Sequence, residues 1–141
     1  MQRKASAVWH GDLKSGKGSI STASGVLMET QYSFSTRFEN GTGTNPEELI
    51  GAAHAGCFAM AFSAELGKVG FIPADIHTTA TVTMDKTDAG WTVTESHLDL
   101  TAKIPGIDAD QFNRIANAAK AGCPISRLLN ARVSLNAKLE A

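Results

Sequence analysis

Apolar and polar positions along this 141-residue chain change rhythm twice. Residues 5 to 38 carry short runs, AVWHGDL, GKGSIST, GVLMET and QYSFSTRF, with Gly and Ser between them. That spacing predicts strands joined by tight turns. FENGTGTN, 38 to 45, is a loop by composition. At Asn45 the period becomes helical. Asn45 suits an N-cap, Pro46 the first helical position, and Glu47 and Glu48 the positive end of the helix dipole. Apolar and small residues continue to Leu66, and Gly67, Gly70 and Pro73 supply the stop. From Leu49 to Phe62 the helix is apolar or small nearly all round, which predicts burial on most sides.

Alternation then returns. In DIHTTATVTMD, Ile76, Ala80, Val82 and Met84 share one face. After the turn KTDAG comes WTVTESHLDLTAKI, where Trp91 and Val93 are odd but Leu98, Leu100, Ala102 and Ile104 are even. A bulge near 94 to 97 accounts for the change of parity. Asp108 caps a helix through about Lys120, with Phe112, Ile115, Ala116 and Ala119 on one face, and Gly122 interrupts it. Cys123-Pro124 opens a short second helix, CPISRLLN, and ARVSLNAKLEA closes the chain as a strand. The expected class is α+β: antiparallel strands around one long buried central helix, in a single domain spanning 1–141. One short chain is hard pressed to cover such a helix, so a partner subunit is expected to cover part of it.

Composition narrows the function. Apolar residues make up 43% and charged residues 19%, enough for a packed core and too apolar for disorder. A net charge of −1 argues against nucleic acid, whose binders carry a basic excess. No stretch is read as a membrane span of roughly 18 apolar residues. MQRKASAVWHGD lacks the apolar region of a signal peptide, so the expected compartment is the cytoplasm. There, structural disulfides are rare, and two cysteines are inert, catalytic or metal-binding.

On residue type alone, Cys57 reads first as a small buried hydrophobe. Its neighbours change that picture. Ala55 and Gly56 precede it, His54 lies a turn back, and Arg37 ends the apolar run YSFSTRF. At about 100° per residue, Glu47 lies about 80° from Cys57 around the axis and Glu48 about 180° away. Glu47 therefore leans toward the Cys57 side, while Glu48 is left to capping and solvent. A mid-helix thiol in apolar surroundings has its pKa raised, so only a nearby cation can restore the thiolate. Arg37, always charged and a fork of donors, could contact the sulfur while Glu47 holds it. Taken alone, each of this pair reads as a surface residue and a helix-start acid. Cys123, with Pro124 at the first helical position, falls at an N-cap, where the dipole and free N–H groups favour a thiolate. It reads equally as a small cap. Zinc is a poor match, because the two cysteines stand far apart and only His54 is near one of them. His10, His54, His77 and His97 form no metal motif, and the glycines form no phosphate loop.

Two stretches, GTNPEELIGAAHAGCF (43 to 58) and KAGCPIS (120 to 126), resemble the OsmC/Ohr family, the osmotically inducible and organic hydroperoxide resistance proteins. PGIDADQF and the opening WHGDLKSGKGSISTASGVL fit as well, and the details favour the OsmC branch. The resemblance implies an intertwined homodimer with antiparallel sheets around the central helices and active sites at the subunit interface. It implies a thiol-dependent peroxidase reducing organic hydroperoxides, and hydrogen peroxide as a second substrate, in oxidative or osmotic stress defence. Cys57 corresponds to the peroxidatic cysteine, Cys123 to the resolving one, and Arg37 with Glu47 to the activating pair. An external dithiol, of lipoyl type by family expectation, would reset the enzyme, with no metal or other cofactor. Phe38, Phe58, Ile125 and Leu128 would suit the organic tail of a substrate, although each also reads as ordinary core, Phe58 more than Phe38. The competing class is a non-catalytic, stress-related ligand-binding dimer with structural cysteines.

Overall fold

In the computed structural model, which describes residues 1–141, the first two alternating runs pair as a hairpin. Strand β1 (Ala5–His10) runs antiparallel to β2 (Lys17–Thr22), and β2 to a short β3 (Thr30–Tyr32). Gly18 stands opposite both Trp9 and Tyr32. A Cβ there would fall 2.5 Å from the Tyr32 ring and 2.6 Å from the Trp9 ring, so only glycine lets the two aromatics approach.

Two expected strands are replaced in this region. GVLMET is not extended, because Gly25 (φ 79°) and Glu29 (φ 49°) turn the chain, and pairing resumes only at Thr30. QYSFSTRF leaves the sheet after Tyr32 and becomes helix α1 (Phe34–Phe38). The cause is local. Ser33 and Thr36 form a reciprocal capping box, in which Thr36 N–H donates to Ser33 Oγ (3.3 Å) and Ser33 N–H to Thr36 Oγ1 (2.8 Å). Arg37 therefore sits in the last turn of a helix rather than at a strand end.

Helix α2 (Pro46–Lys68) starts as expected, with Asn45 Oδ1 accepting from Glu48 N–H at 2.7 Å. It runs past Gly67, and the chain breaks away at Gly70 (φ 85°). Its burial is a stripe rather than a sheath. Gly51, His54, Phe58, Phe62 and Leu66 are buried, whereas Ala52, Ala53, Gly56 and Met60 are exposed. By length and composition α2 could cross a membrane, which corrects the expectation that no stretch would. The stripe of Phe58, Phe62 and Leu66 lies in a protein core, as in a helix built to pack on protein.

The chain divides into two compact units, Met1–Leu49 and Ile50–Ala141, with the division one turn into α2. The first holds β1 to β3, α1 and the start of α2. In the second, β4 (Asp75–Thr87) and β5 (Gly90–Lys103) form a long antiparallel hairpin whose register shifts between Thr83 and Met84, opposite Glu95 and Val93. Thr94 is thus the extra residue, and it moves the apolar set from odd to even positions. Helix α3 (Ala109–Gly122), capped by Asp108, and α4 (Pro124–Leu128) lead to β6 (Arg132–Glu140). Strand β6 lies parallel to β5, so this sheet is mixed and not purely antiparallel. The reason is the connection, since the α3–α4 crossover returns the chain to run in the same direction. Leu98, Leu100, Ala102 and Ile104 meet Phe58, Phe62 and Leu66 of α2 and Phe112, Ile115, Ala116 and Ala119 of α3 in one core. The Phe58 and Phe62 rings stack at 6.2 Å, and Phe112 meets Phe62 edge-on at 5.8 Å.

Candidate active site

Two constellations hold the chemistry, one in each unit. In the first unit the ion pair of Arg37 and Glu47 joins the end of α1 to the first turn of α2. The Arg37 fork closes on one carboxylate: Nη2 to Oε1 at 2.6 Å, Nε to Oε1 at 3.0 Å and to Oε2 at 3.2 Å. Neighbouring bonds fix the frame. Asn45 Nδ2 donates to the Thr36 carbonyl (3.1 Å), tying the cap of α2 to α1. Glu48 is engaged elsewhere, accepting from Thr44 Oγ1 at 2.9 Å. The face arithmetic that separated the two glutamates thus matches the side-chain pairing. Glu47 is 13% exposed and Arg37 38%, so the carboxylate is largely sheltered while the guanidinium is in part open to solvent.

Arg37 lines a cleft of about 290 Å³ with Trp9, Leu13, Tyr32, Ser33, Phe34 and Phe38. Its walls are aromatic: Trp9 and Tyr32 rings lie 5.5 Å apart, Phe34 and Phe38 4.8 Å apart, and Arg37 Cζ sits 5.6 Å from the Phe38 ring centre. A single cation in an apolar cleft fits a molecule with an oily body and a polar head. Of the expected substrate contacts, Phe38 is in this cleft. Trp9, Leu13, Tyr32 and Phe34 were missed, because their convergence depends on the turn at Glu29 and on α1, neither of which periodicity reveals.

In the second unit the two thiols meet. Cys57, a half-buried residue of α2, donates a hydrogen bond to Cys123 at the head of α4, which is fully enclosed. Burial pushes the Cys57 thiol up, and the proton it shares with Cys123 adds to this, against a smaller opposing pull from the Ile125 backbone. Cys123 moves the other way. Burial alone would raise it, but the pull of Cys57, of the backbone N–H groups of Ser126 and Ile125 and of Ser126 Oγ outweighs burial and brings it down. Cys123 stands at the N-cap of the Pro-started helix α4, as expected, but its side chain makes no capping hydrogen bond there.

Beside the thiols lies a buried polar chain. His54 is fully enclosed and bonds at both ring nitrogens: Nδ1 to Ser96 Oγ at 2.6 Å and Nε2 to Ser126 Oγ at 2.8 Å. Burial pulls the imidazole below its usual range, so it is neutral at pH 7. His54 lies one helical turn before Cys57 in the sequence, whereas Ser96 and Ser126 reach it from β5 and α4 only in the fold.

The OsmC-like protein family model matches residues 39–138. The chain belongs to the OsmC family. It is 53% identical to peroxiredoxin OsmC of Escherichia coli over 140 residues, 99% of this chain and 98% of that one. It is 27% identical over 124 residues to the organic hydroperoxide resistance protein OhrB of Bacillus subtilis, 87% of this chain and 89% of that protein. An OsmC-like protein of unknown function from Vibrio cholerae shares the fold with a TM-score of 0.78 at 17% identity, covering 97% of this chain and 99% of that one. The OsmC fold is therefore established, and the chain is a peroxidase. Among the remaining expected contacts in this OsmC protein, Ile125 is half-buried, Leu128 is 73% exposed, and Phe58 is enclosed in the core. With no exposed surface and its ring stacked on Phe62, Phe58 serves packing.

Proposed function

We propose that this peroxidase reduces organic hydroperoxides with Cys57 as peroxidatic and Cys123 as resolving cysteine, and hydrogen peroxide as a second substrate. The chain would act as a single OsmC domain, 1–141, in a cytoplasmic homodimer, with a role in oxidative and osmotic stress defence. The observation that carries the reading is that the two free thiols sit together, close enough for each to shift the other's ionisation. Their unequal burial supports the order. Cys57 is half-buried and Cys123 enclosed, so an oxidant from solution meets Cys57 first.

The proton between them supports a balanced cycle. Cys57 passes its proton to the Cys123 sulfur, and the Arg37 guanidinium, steadied by Glu47, stabilises the resulting Cys57 thiolate. The thiolate attacks the distal oxygen of the hydroperoxide. The O–O bond breaks, Cys57 becomes a sulfenic acid, and the alkoxide leaves as an alcohol with the Cys123 proton. The Cys123 thiolate, favoured by the head of α4, then attacks the sulfenic sulfur. The S–S bond forms, the S–O bond breaks, and hydroxide departs, to be neutralised by a solvent proton that balances the one Cys123 released on ionising. An external dithiol, of lipoyl type, reduces the disulfide by exchange. Phe38, Ile125 and Leu128 are the residues proposed to contact the oily tail of the substrate. No step calls for a metal or prosthetic group.

The test is peroxide consumption with a dithiol. Cys57→Ser is expected to abolish it. Cys123→Ser is expected to allow one oxidation per chain and then to accumulate Cys57 sulfenic acid, trapped by a dimedone probe and visible as a mass shift. Turnover by Cys57→Ser would overturn the roles. Thiols that do not react with stoichiometric hydroperoxide would favour the ligand-binding dimer instead.

A further inference from the structure

We propose that His54 is a positioning residue that works through Ser126, turning the Ser126 hydroxyl so that it donates to the Cys123 sulfur. The inference deepens the peroxidase reading above and rests on it for its role in turnover. It stands on three elements that only the fold brings together: His54 on α2, Ser96 on β5 and Ser126 on α4.

Proton counting fixes the direction of the chain. Ser126 Oγ has one hydrogen and two neighbours, Cys123 Sγ and His54 Nε2. If that hydrogen serves the sulfur, Nε2 must be the donor to Ser126. A neutral imidazole has one N–H, so Nδ1 must then accept, and Ser96 Oγ, at 2.6 Å, supplies the hydrogen. All three groups are satisfied in a single arrangement: Ser96 O–H to Nδ1, Nε2–H to Ser126 Oγ, and Ser126 O–H to Cys123 Sγ. Were the ring in its other tautomer, the Ser126 hydrogen would turn to Nε2 and leave the sulfur. Ser96 and His54 are both fully enclosed, so each must keep its bonds or bear the cost of an unsatisfied buried group. Ser96 thus holds the tautomer, and the tautomer holds Ser126.

The consequence is directional. The Cys123 sulfur is stabilised as a thiolate where it must attack, so resolution keeps ahead of further oxidation of Cys57. The titratable groups of this chain are His54 on α2 and Cys123 at the head of α4, with Cys57 of α2 beside the sulfur; β5 and α4 contribute the uncharged Ser96 and Ser126.

Two readouts test it. In a Cys57→Ser background Cys123 is the lone thiol, and its ultraviolet thiolate absorbance at neutral pH reports the sulfur directly. Ser126→Ala is expected to lower that absorbance and Ser126→Thr, which keeps the hydroxyl, to restore it. Ser96→Ala probes His54 without deleting it and is expected to lower the absorbance as well. In the two-cysteine protein, after one equivalent of tert-butyl hydroperoxide, Ser126→Ala is expected to slow disulfide formation by roughly tenfold, the order for losing one hydrogen bond to an ionised group. Ser126→Thr recovers the rate. Equal absorbance in all four proteins overturns the inference, whatever the enzyme does. A wild-type protein that forms no disulfide overturns the peroxidase reading, while the absorbance still decides the hydrogen-bond chain.

Discussion

A thiol ionises where its surroundings favour the sulfur anion, and those of Cys57 and Cys123 differ in kind. Cys123 has amide and hydroxyl donors, whereas Cys57 is pushed up by burial and by sharing its proton. The proposed remedy is the charge of Arg37. Arg37→Gln is therefore expected to cut kcat/KM for a hydroperoxide by roughly a hundredfold, the order seen when a preorganised donor to a developing charge is lost. Arg37→Lys should recover only part, since an ammonium lacks the fork that grips Glu47 at two oxygens. Stability should barely change, because an ion pair with one partner 38% exposed contributes about 0–1 kcal/mol. A large fall in melting temperature with intact kcat/KM would make the pair a staple and not a catalyst. His54 gives a second prediction. Its folded pKa lies below its ordinary value of 6.5, so the unfolded chain binds the proton first as pH falls. The stability of the neutral ring is complete above that value and declines as pH drops below it. Urea midpoints should therefore fall between pH of about 7.5 and about 5.5, and fall less in His54→Gln. An identical pH response in both proteins would show that His54 does not titrate this way.

Elements carry the site because their ends are specified locally and their middles by packing. Asn45 does both jobs at one end. Its Oδ1 caps α2 while its Nδ2 holds α1, so Asn45→Ala should cost about 1 kcal/mol of stability, the usual loss for a cap. It should also lower kcat/KM by loosening Arg37 against Glu47. A stability loss with unchanged kcat/KM would separate the cap from the site. In the middle, Phe62 touches Phe58 and Phe112 within the buried core, and Phe62→Ala is expected to cost about 3–5 kcal/mol in denaturant unfolding. Elements of this sort were readable in advance. The cap at Asn45, the Asp108 cap, the parity change that became the bulge at Thr94 and the Cys123–Pro124 helix start are all short-range signals. What escaped was not short-range. Nothing in YSFSTRF opposes a strand, since Phe, Tyr and Thr favour extended chain, until Ser33 and Thr36 exchange hydrogen bonds. The parallel seating of β6 depends on a crossover, and the bonds of His54 reach residues 42 and 72 positions away in sequence. Separations of that length leave no period for a pattern to detect.

At the scale of the whole molecule, the exposed side of α2 sets the remaining question. Ala52, Ala53, Gly56 and Met60 face outward on a helix with almost no charge along its middle, and Met60 is 77% exposed. Water is a poor neighbour for such a face, and its small side chains allow another helix to come close. This is the physical support for the proposed homodimer, because a second copy offers the same face and a two-fold contact is self-complementary. Sedimentation equilibrium should then give twice the chain mass of 14.8 kDa at micromolar concentration. Met60→Asp places a charge where the second copy must desolvate it, at a cost of several kcal/mol if it stays unpaired, so the variant should run as a monomer. Activity distinguishes a dimer that builds the site from one that only shields it. If residues of both chains complete each site, activity per chain should fall on dilution below the dissociation constant and in Met60→Asp, with the Cys57–Cys123 disulfide still forming under strong oxidant. A wild-type protein that sediments at the single-chain mass, with activity per chain constant on dilution, would mean that α2 keeps its apolar face in water and that one chain suffices for catalysis.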